Sequence, residues 1–133
     1  MPGLKKNMLH ATAAAFPDLA DALHAIAARL FDLLPLARKH YYHPEMRGSW
    51  SLKSVLPTVA PELTYAALSV SDGGEAQAAF LEMLALPKGS AERERLRQNL
   101  LEYCERDTYA LVVLARFFAG KDRSSWDGII ARQ

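Results

Sequence analysis

The chain has one cysteine in 133 residues, Cys104. A lone thiol excludes an intramolecular disulfide and any site built from clustered cysteines, and it fits a reducing compartment, so a cytoplasmic protein is expected. Net charge is equally scarce, because sixteen Lys and Arg face fifteen Asp and Glu, a formal +1. No global field draws such a chain to nucleic acid or to a membrane, and any electrostatic partner must be read by a local patch. Long apolar runs are missing as well. The longest uncharged stretches, residues 7–17 and 63–71, fall far short of the roughly 20 apolar residues a bilayer crossing needs, so no membrane partner is expected. Lys5 and Lys6 ahead of residues 8–16 imitate a signal peptide, but His10 and Thr12 interrupt the run. An amphipathic first helix accounts for it better. Without a Gly/Ser-rich or Pro-rich linker or a long internal repeat, one unit over residues 1–133 is the expectation.

What is present is helical periodicity. Leu4, Met8, Ala11 and Ala15 recur at helical spacing, and Pro17-Asp18 restarts a second helix carrying Leu19, Leu23, Ile26 and Leu30. Residues 30–34, with Asp32 among apolar neighbours, read either as a short buried strand before Pro35 or as an extension of that helix. From residue 38 to 53 the period dissolves into a loop-like run rich in His, Tyr, Gly and Ser. Leu52, Val55 and Leu56 then suggest a short helix stopped before Pro57. Residues 63–70 are extended or helical, residues 71–74 (Ser-Asp-Gly-Gly) form a turn, and Ala76, Phe80, Leu81 and Leu84 mark another helix. After Pro87 and Gly89, Ser90 is positioned to cap a long last helix running to Gly120, with Glu92 and Glu94 in its first turn.

On that last helix Leu96, Leu100, Tyr103, Asp107, Leu111, Leu114 and Phe118 share one narrow stripe, while Arg95, Gln98, Glu102, Glu105, Arg106 and Arg116 take the other side. Asp107 sits in the middle of the apolar stripe. An ionised carboxylate buried without a partner costs several kcal/mol, so Asp107 needs a cation, hydrogen-bond donors or a wet cleft. A structural reading has it cap another helix or pair with a base such as Lys53. A functional reading makes it a metal ligand, with Tyr103 one turn earlier presenting a phenol beside the carboxylate. Cys104, at the stripe's edge, reads as a small buried hydrophobe.

The segment Leu100-Leu101-Glu102-Tyr103-Cys104-Glu105-Arg106-Asp107-Thr108 resembles the third motif of the tyrosine-type DEDD exonucleases of the ribonuclease H-like superfamily, which degrade nucleic acid from the three-prime end. Together with Tyr42-His43-Pro44, with Gly48-Ser49-Trp50-Ser51-Leu52-Lys53 and with Val55-Leu56-Pro57, it resembles a bacterial domain of unknown function often fused to RecB-like nucleases. The resemblance runs over roughly residues 16–118. It implies a mostly α fold, the helical C-terminal half of an α/β ribonuclease H-like domain lacking the N-terminal strands. It also implies two-metal phosphodiester hydrolysis with Mg or Mn, Asp107 as metal ligand and Tyr103 as the residue that holds the attacking water. The pattern is incomplete here: position 34, two residues after Asp32, is Leu, so the Asp-x-Glu pair of the first motif is absent. The resemblance places the strands that carry it upstream of Met1. One or two carboxylates do not neutralise two divalent cations, so the chain alone is expected to be inactive, and apolar helix faces are expected to await a partner chain supplying the other half.

Residues 38–53 hold Arg38, Lys39, Arg47 and Lys53 against Glu45, a local +3 that leaves −2 for the rest of the chain. Tyr41, Tyr42 and Trp50 interleave with these charges. Aromatic faces beside cations grip single strands without sequence preference, and Arg47, Trp50 and Lys53 are the expected nucleic-acid contacts, DNA or RNA. The structural alternative is that the aromatics anchor a loop and the charges are solvated. His40 and His43 have a chelating spacing but only Glu45 as a further donor nearby, so no zinc site is expected. From a different function class, a non-catalytic helical protein–protein interaction module accounts for the same residues, with Asp107 as a structural acceptor and the aromatic loop as a docking surface.

Overall fold

A computed structural model describes residues 3–120, and side chains from residue 5 onward. The chain is mostly helical, and no strand occurs among the described residues. These residues fall into two compact units, one ending at Tyr42 and one beginning at His43.

The first unit holds α1 (Gly3–Ala15), α2 (Ala20–Arg29) and α3 (Leu33–His40). Pro17 cannot donate to α1 and instead opens a 3₁₀ turn, Pro17–Leu19, that leads directly into α2. α1 and α2 pack against each other as a helical hairpin. The short strand expected at residues 30–34 does not form, and the helix extension fails as well. Leu30 is extended, and α3 begins at Leu33 because the Asp32 carboxylate accepts the Leu34 N–H at 2.9 Å, an N-cap that fixes the start. Pro35 is tolerated there because the first turn leaves its N–H groups unpaired anyway. Arg38, Lys39 and His40 are the last turn of α3 rather than loop, placed where a cation meets the negative end of the helix.

The second unit holds a 3₁₀ turn (Pro44–Met46), α4 (Leu52–Val59), α5 (Gly73–Ala85) and α6 (Ala91–Phe118). α6 is the spine, with α5 and α4 both packed on it, and α4 also packs on the 3₁₀ turn. Toward its start, Leu96, Leu100 and Tyr103 pack with Val70, Ala76, Ala79, Met83 and Leu86. Farther along, Ala110, Val113 and Leu114 are buried, as are Val55, Leu56 and Val59 of α4 and Met46 of the turn. Because different elements cover the two halves, the buried face of α6 drifts around the helix. Leu111 is therefore exposed while Ala110 and Val113 are buried. Cys104, expected inside, is exposed, because the covered face runs through Tyr103.

Caps account for the helix ends. The Ser90 hydroxyl accepts the Arg93 N–H at 3.3 Å, as expected, and Gly120, with φ +68°, takes the left-handed conformation beyond the end of α6, where its N–H reaches the Phe117 carbonyl. At the end of α5, Arg93 Nη1 donates to the Met83 and Leu86 carbonyls at 2.9 and 2.8 Å. α4 does not stop before Pro57. It runs through it to Val59, and the proline's missing N–H falls on the exposed side of a helix only eight residues long. Residues 60–72 are neither strand nor continuous helix but a chain of turns, pinned by the buried side chains of Tyr65 and Val70.

Candidate functional site

Asp107 is half-buried on α6, and donors rather than a base answer its charge. The Tyr65 hydroxyl, from the irregular 60–72 segment, donates to Asp107 Oδ1 at 2.6 Å. Tyr103 lies one turn before Asp107 on the same helix, close enough to feel its negative charge. The rings of Tyr65 and Tyr103 stand 6.2 Å apart at 60°, a tilted aromatic pair flanking the acid. Burial, together with the hydrogen bond to Asp107 and its negative charge, pushes the Tyr65 phenol well above its ordinary range. Burial and the Asp107 charge push Tyr103 the same way. Both phenols therefore keep their protons at neutral pH, and Tyr65 donates its own to Asp107.

Lys53, on the second residue of α4, does not pair with Asp107. Its ammonium lies over the Tyr65 ring, 5.6 Å from the centroid, a cation–π contact. Its charge also helps hold the Asp72 carboxyl below its ordinary range, though the larger cause is the N–H of Glu75, which Asp72 accepts at 2.9 Å as the N-cap of α5. Arg106, read as water-facing, is half-buried and donates to the Thr64 carbonyl at 3.0 Å, fastening the same irregular segment to α6 a second time. Tyr65 and Thr64 escaped sequence reading because residues 63–70 carry no helical or strand period, and only the lone aromatic in that stretch hinted at an anchor.

Among the described residues no group of three or more His, Cys, Asp or Glu comes together in a way that holds a metal ion. Tyr103 and Asp107 are neighbours on α6, as their spacing predicts, yet one carboxylate already bonded to the Tyr65 phenol does not make a two-cation centre. Asp32, the one early acid with apolar neighbours, is a helix cap in the first unit.

The other expected contacts surround the start of α4. Arg47, with φ +50°, and Gly48, with φ +80°, make a left-handed pair that turns the chain sharply, a conformation easy for glycine and costly for arginine. The turn leaves the Arg47 side chain exposed and leads into Ser49, Trp50 and Ser51. Ser51 is the N-cap residue of α4, but its side chain does not cap the helix. Its hydroxyl meets that of Ser54 at 2.9 Å, and its own N–H donates to the Ser49 hydroxyl at 3.3 Å. Exposed Arg47, Ser51 and Lys53 and half-buried Ser49, Trp50 and Ser54 thus fall within eight residues at the start of α4. Such helix starts favour anions, because their N–H groups and dipole point at the ligand.

His43 Nδ1 accepts the Glu45 N–H at 3.3 Å and lies 4.0 Å from its carboxylate, so it caps the turn Pro44–Met46. Tyr42 is exposed and Tyr41 half-buried at the end of the first unit. No helix among the described residues is long and apolar enough to cross a membrane.

A family profile described as a domain of unknown function, DUF2779, matches residues 4–51. The match spans α1 to α3, the 3₁₀ turn and the approach to α4, including Arg47 and Trp50. It stops short of Lys53, Tyr103 and Asp107. No curated protein and no solved structure matches the chain.

Proposed function

We propose that this chain is a nucleic-acid-binding, helical part of a metal-dependent phosphodiester-hydrolysing domain of the ribonuclease H-like exonuclease kind, inactive on its own. The observation that supports this best is the start of α4. There exposed Arg47 and Lys53 and the hydroxyls of Ser49, Ser51 and Ser54 fall within eight residues at the N-terminus of α4, with half-buried Trp50 among them. Cations and N–H groups hold phosphates, and an aromatic face stacks a base.

On this reading Tyr103 and Asp107 are the chain's share of a catalytic site whose other acids come from a partner chain or segment carrying the missing Asp-x-Glu pair. Bound Mg or Mn would there activate water and stabilise the leaving oxygen.

A second reading, the non-catalytic protein–protein interaction module, is favoured by the Tyr65–Asp107 bond, which satisfies the carboxylate without a cation. It is favoured also by Phe80, Leu81 and Leu84, which are exposed on α5. Melting with and without millimolar Mn²⁺ separates the two. A residual metal site predicts a Mn²⁺-dependent rise in melting temperature that Asp107→Asn abolishes. The interaction module predicts no Mn²⁺ response in either chain.

A further inference from the structure

The first unit carries a feature that the nucleic-acid reading does not use. His10 of α1 and His24 of α2 face each other across the helical hairpin, with ring centroids 5.2 Å apart and planes inclined at 42°. Both side chains are exposed, so neither ring is needed to fill the packing between the helices. These are two of only four histidines in the chain.

We propose that His10 and His24 form a two-imidazole site for a borderline-soft divalent cation, with Zn²⁺ as the physiological candidate, water completing the coordination. The separation fits. An imidazole nitrogen binds Zn²⁺ at about 2.0–2.1 Å, and with each ring centre lying about 1.2 Å behind its nitrogen, two imidazoles on one tetrahedral cation have centres about 5 Å apart. The ligand chemistry selects the ion, because imidazole suits Zn²⁺, Cu²⁺ and Ni²⁺, whereas Mg²⁺ and Ca²⁺ require oxygen donors. The site is therefore chemically distinct from any Mg or Mn site at Asp107, and it stands or falls independently of the proposed function. Its consequence is mechanical: a cation shared between α1 and α2 bonds the two helices at mid-length and stabilises the hairpin against opening.

The test is a Zn²⁺ titration of the full chain followed by melting and by calorimetric stoichiometry, repeated for His10→Ala, His24→Ala and the control His43→Ala. The expected result is one equivalent of Zn²⁺ and a rise in melting temperature of roughly 4 °C or more at saturation. Both should persist in His43→Ala and vanish in either pair variant, while Mg²⁺ leaves the melting temperature unchanged. Because both rings are exposed, the variants fold. Zn²⁺ binding of equal strength in His10→Ala and His24→Ala, or no binding to the wild-type chain, overturns the proposal.

Discussion

The Tyr65 hydroxyl donates to the Asp107 carboxylate at 2.6 Å across forty-two residues of sequence. This bond joins the irregular 60–72 segment to the middle of α6, and Arg106 reinforces it through the Thr64 carbonyl. An acid on the apolar stripe of α6 is thereby held by a neutral donor, the Tyr65 hydroxyl. Phenol to carboxylate is a charge-assisted bond, stronger than a neutral one.

Tyr65→Phe keeps the buried ring and removes the donor. It should lower unfolding free energy by about 1–3 kcal/mol. In urea the midpoint falls while the slope is unchanged. A double-mutant cycle with Asp107→Asn should return a coupling energy of order 1 kcal/mol. Additive losses would mean that the two side chains do not act as a pair.

Alkaline pH acts on the same pair of phenols. Tyr65 and Tyr103 hold their protons more tightly in the native state than in the unfolded chain, where a phenol titrates near 10. Their contribution is therefore fully present below that value. It is lost as pH rises, because the unfolded chain releases protons that the native state retains. Unfolding free energy measured from neutral to strongly alkaline pH should fall steepest above about pH 10. The fall should be shallower in Tyr65→Phe.

Asp72 acts at the other end of the scale. It caps α5 through the Glu75 N–H, and that bond holds its carboxyl below the ordinary range. The stabilisation is present above the unfolded carboxylate value and is lost as pH falls through the lower native value. Asp72→Ala should lower the melting temperature at neutral pH and narrow its difference from wild type in acid. Asp72→Asn, which keeps a capping oxygen, should recover most of the neutral-pH loss.

The helices were largely legible because their signals are local. Pro17, Ser90 and Gly120 punctuate where they stand, and the Leu96, Leu100, Tyr103 spacing named the α6 face that α5 covers. Tyr103 beside Asp107 followed from spacing alone. What answers Asp107 did not, because Tyr65 lies in a segment with no period, and a contact across forty-two residues leaves no trace in either neighbourhood. Residues 30–34 misled for a related reason: a short apolar run read as a strand or as an extension of α2, but the Asp32 side chain bonded two residues ahead and started a new helix. α4 ran past Pro57 because tertiary burial of Val55, Leu56 and Val59 outweighs one lost backbone bond.

Apolar exposure on α5 offers a further check. Leu81 is 60% exposed, on a helix whose Ala76, Ala79 and Met83 already supply the buried contact. Leu81→Gln should therefore change unfolding free energy by no more than about 0.5 kcal/mol. A loss well above this would place Leu81 inside the packing of the isolated chain.

The most direct measurement is binding of a labelled single-stranded oligonucleotide, DNA and RNA in turn, followed by anisotropy across a salt series. The account predicts salt-dependent binding, with a slope that falls by about 1 for each of Arg47→Ala and Lys53→Ala. Trp50→Ala should weaken binding by roughly 1–3 kcal/mol, the worth of one stacked base. No binding at low salt, or binding that all three substitutions leave unchanged, would contradict the assignment of nucleic acid to the start of α4.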